Sequence, residues 1–202
     1  MNIGLRLLWL PLLVAAGPAH AHSPVPGIEG FYVGAAHPFS TPSQALLMFG
    51  LGLMAGSFAA EKVRWILTGF LFATLIGLIF GPRDANIDTI MFAMAFITCA
   101  FAALFPGKLA PLAIVLVCIG GLLLGVVSIP DDGPMRDRLF TMSGSIVGAN
   151  IGLLFLWGIS DVVRERYKWP WIGIAFRVLA AWLGAIALLM LALGFAEVAP
   201  SS

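Results

Sequence analysis

Six apolar runs, each about as long as a helix needs to cross a bilayer, divide this chain, and short clusters of Pro, Gly and charged residues separate them. They predict helices over about 43–60, 65–81, 89–105, 109–129, 139–163 and 171–195. None of the runs alternates polar and apolar positions as a barrel strand would, so helices satisfy the backbone in hydrocarbon. Glu61-Lys62-Val63-Arg64 is expected to end the first helix, Pro82 the second and Pro106-Gly107-Lys108 the third. A charged loop from Pro130 to Arg138 leads into the fifth, and a basic loop from Arg164 to Pro170 precedes the last. Connections this short predict that neighbours in sequence are neighbours in space.

Upstream of these runs the pattern changes twice. Residues 1–21 carry one basic residue, Arg6, an apolar stretch and a small-residue end, Ala19-His20-Ala21, the layout of a cleavable signal peptide. Residues 22–42 are rich in Gly and Pro and are expected as a periplasmic segment at the membrane interface, with Phe31 and Tyr32 at headgroup depth. Thr41-Pro42-Ser43-Gln44 then fits a capping box with proline at the first helical position. The resulting organisation is a signal peptide (1–21), an interfacial segment (22–42), a transmembrane helical bundle (43–196) and a tail (197–202). The fold class is all-α, a polytopic membrane bundle of about six transmembrane helices.

Composition agrees. Hydrophobic residues make up 60% and charged residues 10% of the chain, too few charges to cover a water-facing surface, so the lipid bilayer is its main partner. A net charge of +1 carries no information about nucleic acid, because the basic residues sit singly or in short clusters, and no nucleic-acid-like segment is present. The cations instead report topology. Lys62, Arg64, Lys108, Arg164, Arg166 and Lys168 fall on one side of the predicted bundle, while Arg83, Arg136 and Arg138 fall on the other. The positive-inside rule puts the first group in the cytoplasm, hence a bacterial inner-membrane protein with a periplasmic mature N-terminus.

Small residues recur at four-residue spacing: Gly52 and Gly56, Gly77 and Gly81, Gly121 and Gly125, and the row Gly144, Gly148, Gly152. Lipid tails give helices no hydrophobic reason to associate, so such stripes are read as packing faces. The fifth helix adds Asn150 near mid-span, either a hydrogen-bonding tie to another helix or a residue on a substrate path. Arg177 is expected to snorkel to the interface or to pair with Asp161.

Two histidines stand outside the signal, His22 and His37. Imidazole suits nickel, zinc or copper, and both lie ahead of the first predicted helix. After cleavage at Ala21, His22 offers an α-amine beside its ring. His37 sits in the segment Phe31-Tyr32-Val33-Gly34-Ala35-Ala36-His37-Pro38, either as a metal ligand or as an anchor for the entry into the membrane. Met91 and Met94 share a face of the third helix, and Cys99 and Cys118 are expected at similar depth on adjacent helices, a softer donor set that suits copper(I). No nucleophile–base pair, carboxylate pair or phosphate loop is present, so the sequence points away from an enzyme.

The stretch Gly30-Phe31-x-x-Gly34-x-x-His37-Pro38 leading into a Gly-rich helix, with the signal peptide, an early histidine and about six spans, resembles the HupE/UreJ family of hydrogenase and urease accessory membrane proteins. The resemblance implies a nickel permease or a metal-handling accessory protein, with transient nickel as its ion, and the soft donors leave copper as the alternative. The alternative is a non-transporting accessory or assembly subunit that docks a membrane complex or a second copy of itself. In the family a His-Pro pair is followed by Asp-His on the first helix. Here Ser43-Gln44 stands in that place, and His37 alone carries over.

Overall fold

The computed structural model describes residues 29–82, 87–130 and 134–198; the expected signal peptide and His22 lie outside them. Among the described residues there are seven α-helices and no strand: α1 (Glu29–Ala36), α2 (Pro42–Ala55), α3 (Ala60–Phe80), α4 (Asp88–Leu104), α5 (Ala110–Val127), α6 (Met135–Arg166) and α7 (Trp171–Val198). Four of them, α3, α5, α6 and α7, are long and apolar enough to cross a membrane; α2 and α4 are shorter and equally apolar. Large hydrophobic side chains cover the outside, among them Phe72, Phe80, Phe155 and Trp182. A water-soluble fold would bury them, and a lipid-facing one has no reason to. The chain is an all-α membrane bundle.

The apolar runs locate the helices well, with boundaries displaced in two places: α6 takes in Met135 to Arg138 and Arg164 to Arg166, expected in the flanking loops, and the first helix ends early. Glu61, Lys62 and Arg64 do not end the first helix but form the opening of α3. The chain turns earlier: the Gly56 N–H bonds the Gly52 carbonyl, and the Ser57 hydroxyl donates to the Met54 carbonyl, capping α2 with its own last turn. Glu61 then lies where a carboxylate favours the positive end of a helix.

Sequence neighbours are not the main packing partners. The largest interfaces join α3 to α5, α1 to α6, α4 to α7 and α2 to α4, whereas consecutive α4 and α5 barely touch. Glycine explains this. A Cβ added at Gly77 or Gly125 would run into the backbone of the facing helix, Leu122 in one case and Thr74 in the other, so α3 and α5 lie backbone to backbone. The contacts advance in step, Gly69 beside Cys118, Gly77 beside Leu122 and Gly81 beside Val126, so these two helices run parallel. Matching of glycine stripes outweighs loop length because close backbone approach is what lipid leaves available as a driving force.

At the centre stands α2. Leu47, Met48, Leu51 and Met54 are fully buried, and the helix touches α4, α5, α6 and α7. Its Gly52 and Gly56 accept Leu156 and Ser160 of α6. Helix α1 extends the same contact upward: Gly34 meets the backbone of Thr141 and Ser145, Gly144 that of Phe31 and Ala35, and Gly148 that of Ala35. Together α1 and α2 run alongside α6 in one direction, as a single helix interrupted between His37 and Thr41. The segment expected at the interface is thus helical in its second half and packed along a candidate span.

Candidate functional site at the helix break

Two prolines cause the interruption. In a continuous helix Pro38 and Pro42 would donate to the carbonyls of Gly34 and Pro38, and neither has an N–H. The chain crosses the gap as a short 3-10 turn, His37–Phe39, and the His37 carbonyl collects both the N–H and the hydroxyl of Ser40, at 3.1 and 2.8 Å.

Thr41 is the N-cap of α2 with Pro42 behind it, the positions the sequence indicates, but its side chain makes no capping bond. The capping box is therefore present as a spacing and absent as chemistry. Instead Gln44 turns toward His37, while Oε1 of Gln44, Nδ1 of His37 and Oγ1 of Thr41 are all buried without a hydrogen-bond partner. Ser145, on the α6 turn facing Gly34, adds a fourth buried polar atom, a hydroxyl, without one. A buried polar group left unpaired costs about 1–3 kcal/mol. Several of them gathered on eight residues of chain mark a place where a ligand would supply what the protein withholds.

A carboxylate stands at the same place, and sequence reasoning missed it. The Ser43 hydroxyl donates to Oδ1 of Asp88, the first residue of α4, at 2.6 Å. Ser43 is buried and Asp88 exposed, so the bond joins the buried break to the end of the bundle. Asp88 also offsets the positive N-termini of both α2 and α4. The available signal was a lone acid opening an apolar run, indistinguishable in sequence from a loop charge.

The structure separates the remaining candidates from this group. Asn150 donates from Nδ2 to Oγ1 of Thr74 on α3 at 3.2 Å and to the Ile146 carbonyl at 2.9 Å. It lies on the side of α6 turned to α3, whereas Gly144, Gly148 and Gly152 face α1, Phe39 and Met48. It ties two helices together. Cys99 faces Gly50 of α2 and Gly184 of α7, whereas Cys118 faces Gly69 of α3. The expected soft-donor pair does not form, because α4 and α5 turn to different partners. Met91 and Met94 are buried in the core cluster. Arg177, which is exposed, does not pair with Asp161: its Nε donates to the Ala103 carbonyl at 2.7 Å, satisfying one of the open carbonyls at the end of α4.

Among the described residues no three His, Cys, Asp or Glu side chains come together. The donor set at the break is one imidazole, an amide oxygen and hydroxyls, with a carboxylate one hydrogen bond away. Such ligands hold a borderline cation such as nickel(II) weakly.

Residues 10–122 match the family described as HupE / UreJ protein, a span that covers α1 to most of α5 and includes the whole break. No curated protein and no solved structure gives a significant match.

Proposed function

The chain belongs to the HupE / UreJ family, and from that premise we propose that it handles a divalent transition metal, nickel or a close relative, at the break between α1 and α2, from the periplasmic side of a bacterial inner membrane. The single observation that carries this reading is the cluster of buried donor atoms at the break, Nδ1 of His37, Oε1 of Gln44 and Oγ1 of Thr41, in which His37 and Gln44 turn to each other and the Thr41 hydroxyl has no partner. Oxygen and nitrogen ligands inside a hydrocarbon-facing bundle are costly unless used, and interrupted helices are where membrane transporters place cation sites. The C-terminal end of α1 directs the negative pole of a helix dipole into the gap, and Asp88, bonded to Ser43, offsets the opposing positive pole of α2. Weak ligands suit an ion that must leave again.

In this account His37 is the anchoring ligand, Gln44 and Thr41 contribute oxygen, and Asp88 attracts the cation to the entrance through Ser43. Asn150 holds α6 against α3 and is no ligand. The N-terminal signal and His22 belong to delivery, His22 as an outer chelating group beside a new α-amine.

The test is metal accumulation in cells expressing wild-type protein, His37→Ala or Gln44→Leu at equal membrane abundance. The proposal expects nickel accumulation above that of cells lacking the protein, abolished by the first variant and reduced by the second. Accumulation equal in all four strains for nickel, cobalt and copper would favour an accessory subunit that docks a membrane complex without moving an ion.

A further inference from the structure

We propose that the end of the bundle opposite the helix break carries a binding site for the phosphate headgroup of an anionic phospholipid, built at the turn between α6 and α7. The site is independent of the metal reading. A cavity of about 470 Å³ opens there, bounded by Pro106, Arg164, Tyr167, Lys168, Trp169 and Arg177. Three of these are cations, they come from the last turn of α6, the connecting turn and the start of α7, and no Asp or Glu lines the cavity. Asp161, a turn before Arg164, acts on that arginine, and Glu165 follows it in the chain, but neither lines the cavity, whose lining stays net positive.

Both arginines are held in place. The Arg164 guanidinium lies 4.8 Å from the centre of the Phe176 ring, and its buried Nε has no hydrogen-bond partner. Arg177 is fixed through its Nε to Ala103, which leaves its Nη donors for a ligand. Guanidinium groups match phosphate oxygens with paired donors, and Lys168 adds a mobile point charge.

Position selects a lipid over a free anion. Tyr167, Trp169 and Trp171 form a row of rings, each 5.5 Å from the next, and amphipathic rings of this kind settle at headgroup level. Ile174, exposed on α7 beside the cavity, offers an apolar edge for an acyl chain. Lys62, Arg64 and Lys108 crowd the same end of the bundle, the end that the charge asymmetry puts at the cytoplasmic leaflet, where anionic lipids draw basic segments.

The experiment is native mass spectrometry of the purified full chain in detergent, titrated with phosphatidylglycerol, phosphatidylcholine or excess inorganic phosphate. Wild type is expected to retain phosphatidylglycerol and not phosphatidylcholine. Each cation near an anionic headgroup is worth about fivefold, so Lys168→Gln should weaken retention about fivefold and Arg164→Gln with Lys168→Gln about 25-fold. Lys62→Gln, outside the cavity, should weaken retention far less than Lys168→Gln. Lys168 is exposed, so its variant keeps the test valid if the double variant does not fold. Equal retention of both lipids, equal loss in Lys62→Gln and Lys168→Gln, or displacement of the lipid by inorganic phosphate would each overturn the proposal, the last by assigning the cavity to a free anion.

Discussion

Gly148→Ala tests whether α1 is held to α6 by backbone contact. The new Cβ would stand 2.7 Å from both the carbonyl carbon and the Cα of Ala35, and closer still to its oxygen, against a comfortable separation of about 3.5–4.0 Å. No rotamer relieves this, because the obstacle is main chain, so the helices must part by about an ångström. Overpacking of this kind costs about 1–3 kcal/mol, and the contact belongs at the upper end. Replacing a helical glycine by alanine returns about 1 kcal/mol, leaving a net loss of about 2 kcal/mol. Gly158, ten residues along the same helix, is the control, since its Cβ would meet nothing within 4 Å. There the propensity gain stands alone. In thermal unfolding of the detergent-solubilised protein, at about 2–4 °C per kcal/mol for a chain of this size, Gly148→Ala should lower Tm by about 4–8 °C and Gly158→Ala should raise it by about 2–4 °C. The reasoning is refuted if both variants shift alike or if Gly148→Ala melts at or above wild type.

Further outcomes follow from individual contacts. Asn150→Leu should cost about 0.6–2 kcal/mol, and a double-mutant cycle with Thr74→Val should recover most of that as coupling; additive losses would remove the bond across α3 and α6 from the account. Arg177→Met strips the Ala103 carbonyl of its partner and should destabilise by about 1 kcal/mol, with no effect expected if the guanidinium merely reaches for water. Oxidative crosslinking in the membrane should produce no intramolecular Cys99–Cys118 disulfide, and a gel-shifted crosslinked monomer would show that α4 and α5 share a face after all.

Much of the architecture was legible because membrane helices advertise themselves by length and composition. The runs beginning near 89, 109 and 171 predict α4, α5 and α7 almost to the residue. Boundaries are ambiguous where charges border an apolar run, as at Glu61-Lys62, because a helix start accommodates them as well as a helix end does. Pairing was not legible: a glycine stripe names a face but not the helix that meets it, and parallel partners two elements apart cannot be told from antiparallel neighbours by spacing. The same gap hid the divergence of Cys99 from Cys118 and the role of Ala103. At the site, His37 and the odd Ser43-Gln44 pair stood out, but α1 was obscured by its two glycines and the prolines on either side, which suggested an interfacial segment rather than a helix. Thr41 illustrates the physical limit of motif reading. Its position is that of a cap, yet tertiary packing leaves its hydroxyl uncapped and turned into a candidate ligand, and Asp88 joins the group only through a fold-dependent hydrogen bond.

The most direct measurement is nickel flux into proteoliposomes that contain the purified protein alone, compared among wild type, His37→Ala and the stability control Gly158→Ala. The account predicts saturable uptake for wild type and for Gly158→Ala, and uptake no greater than in protein-free vesicles for His37→Ala. Flux in His37→Ala equal to wild type would contradict it.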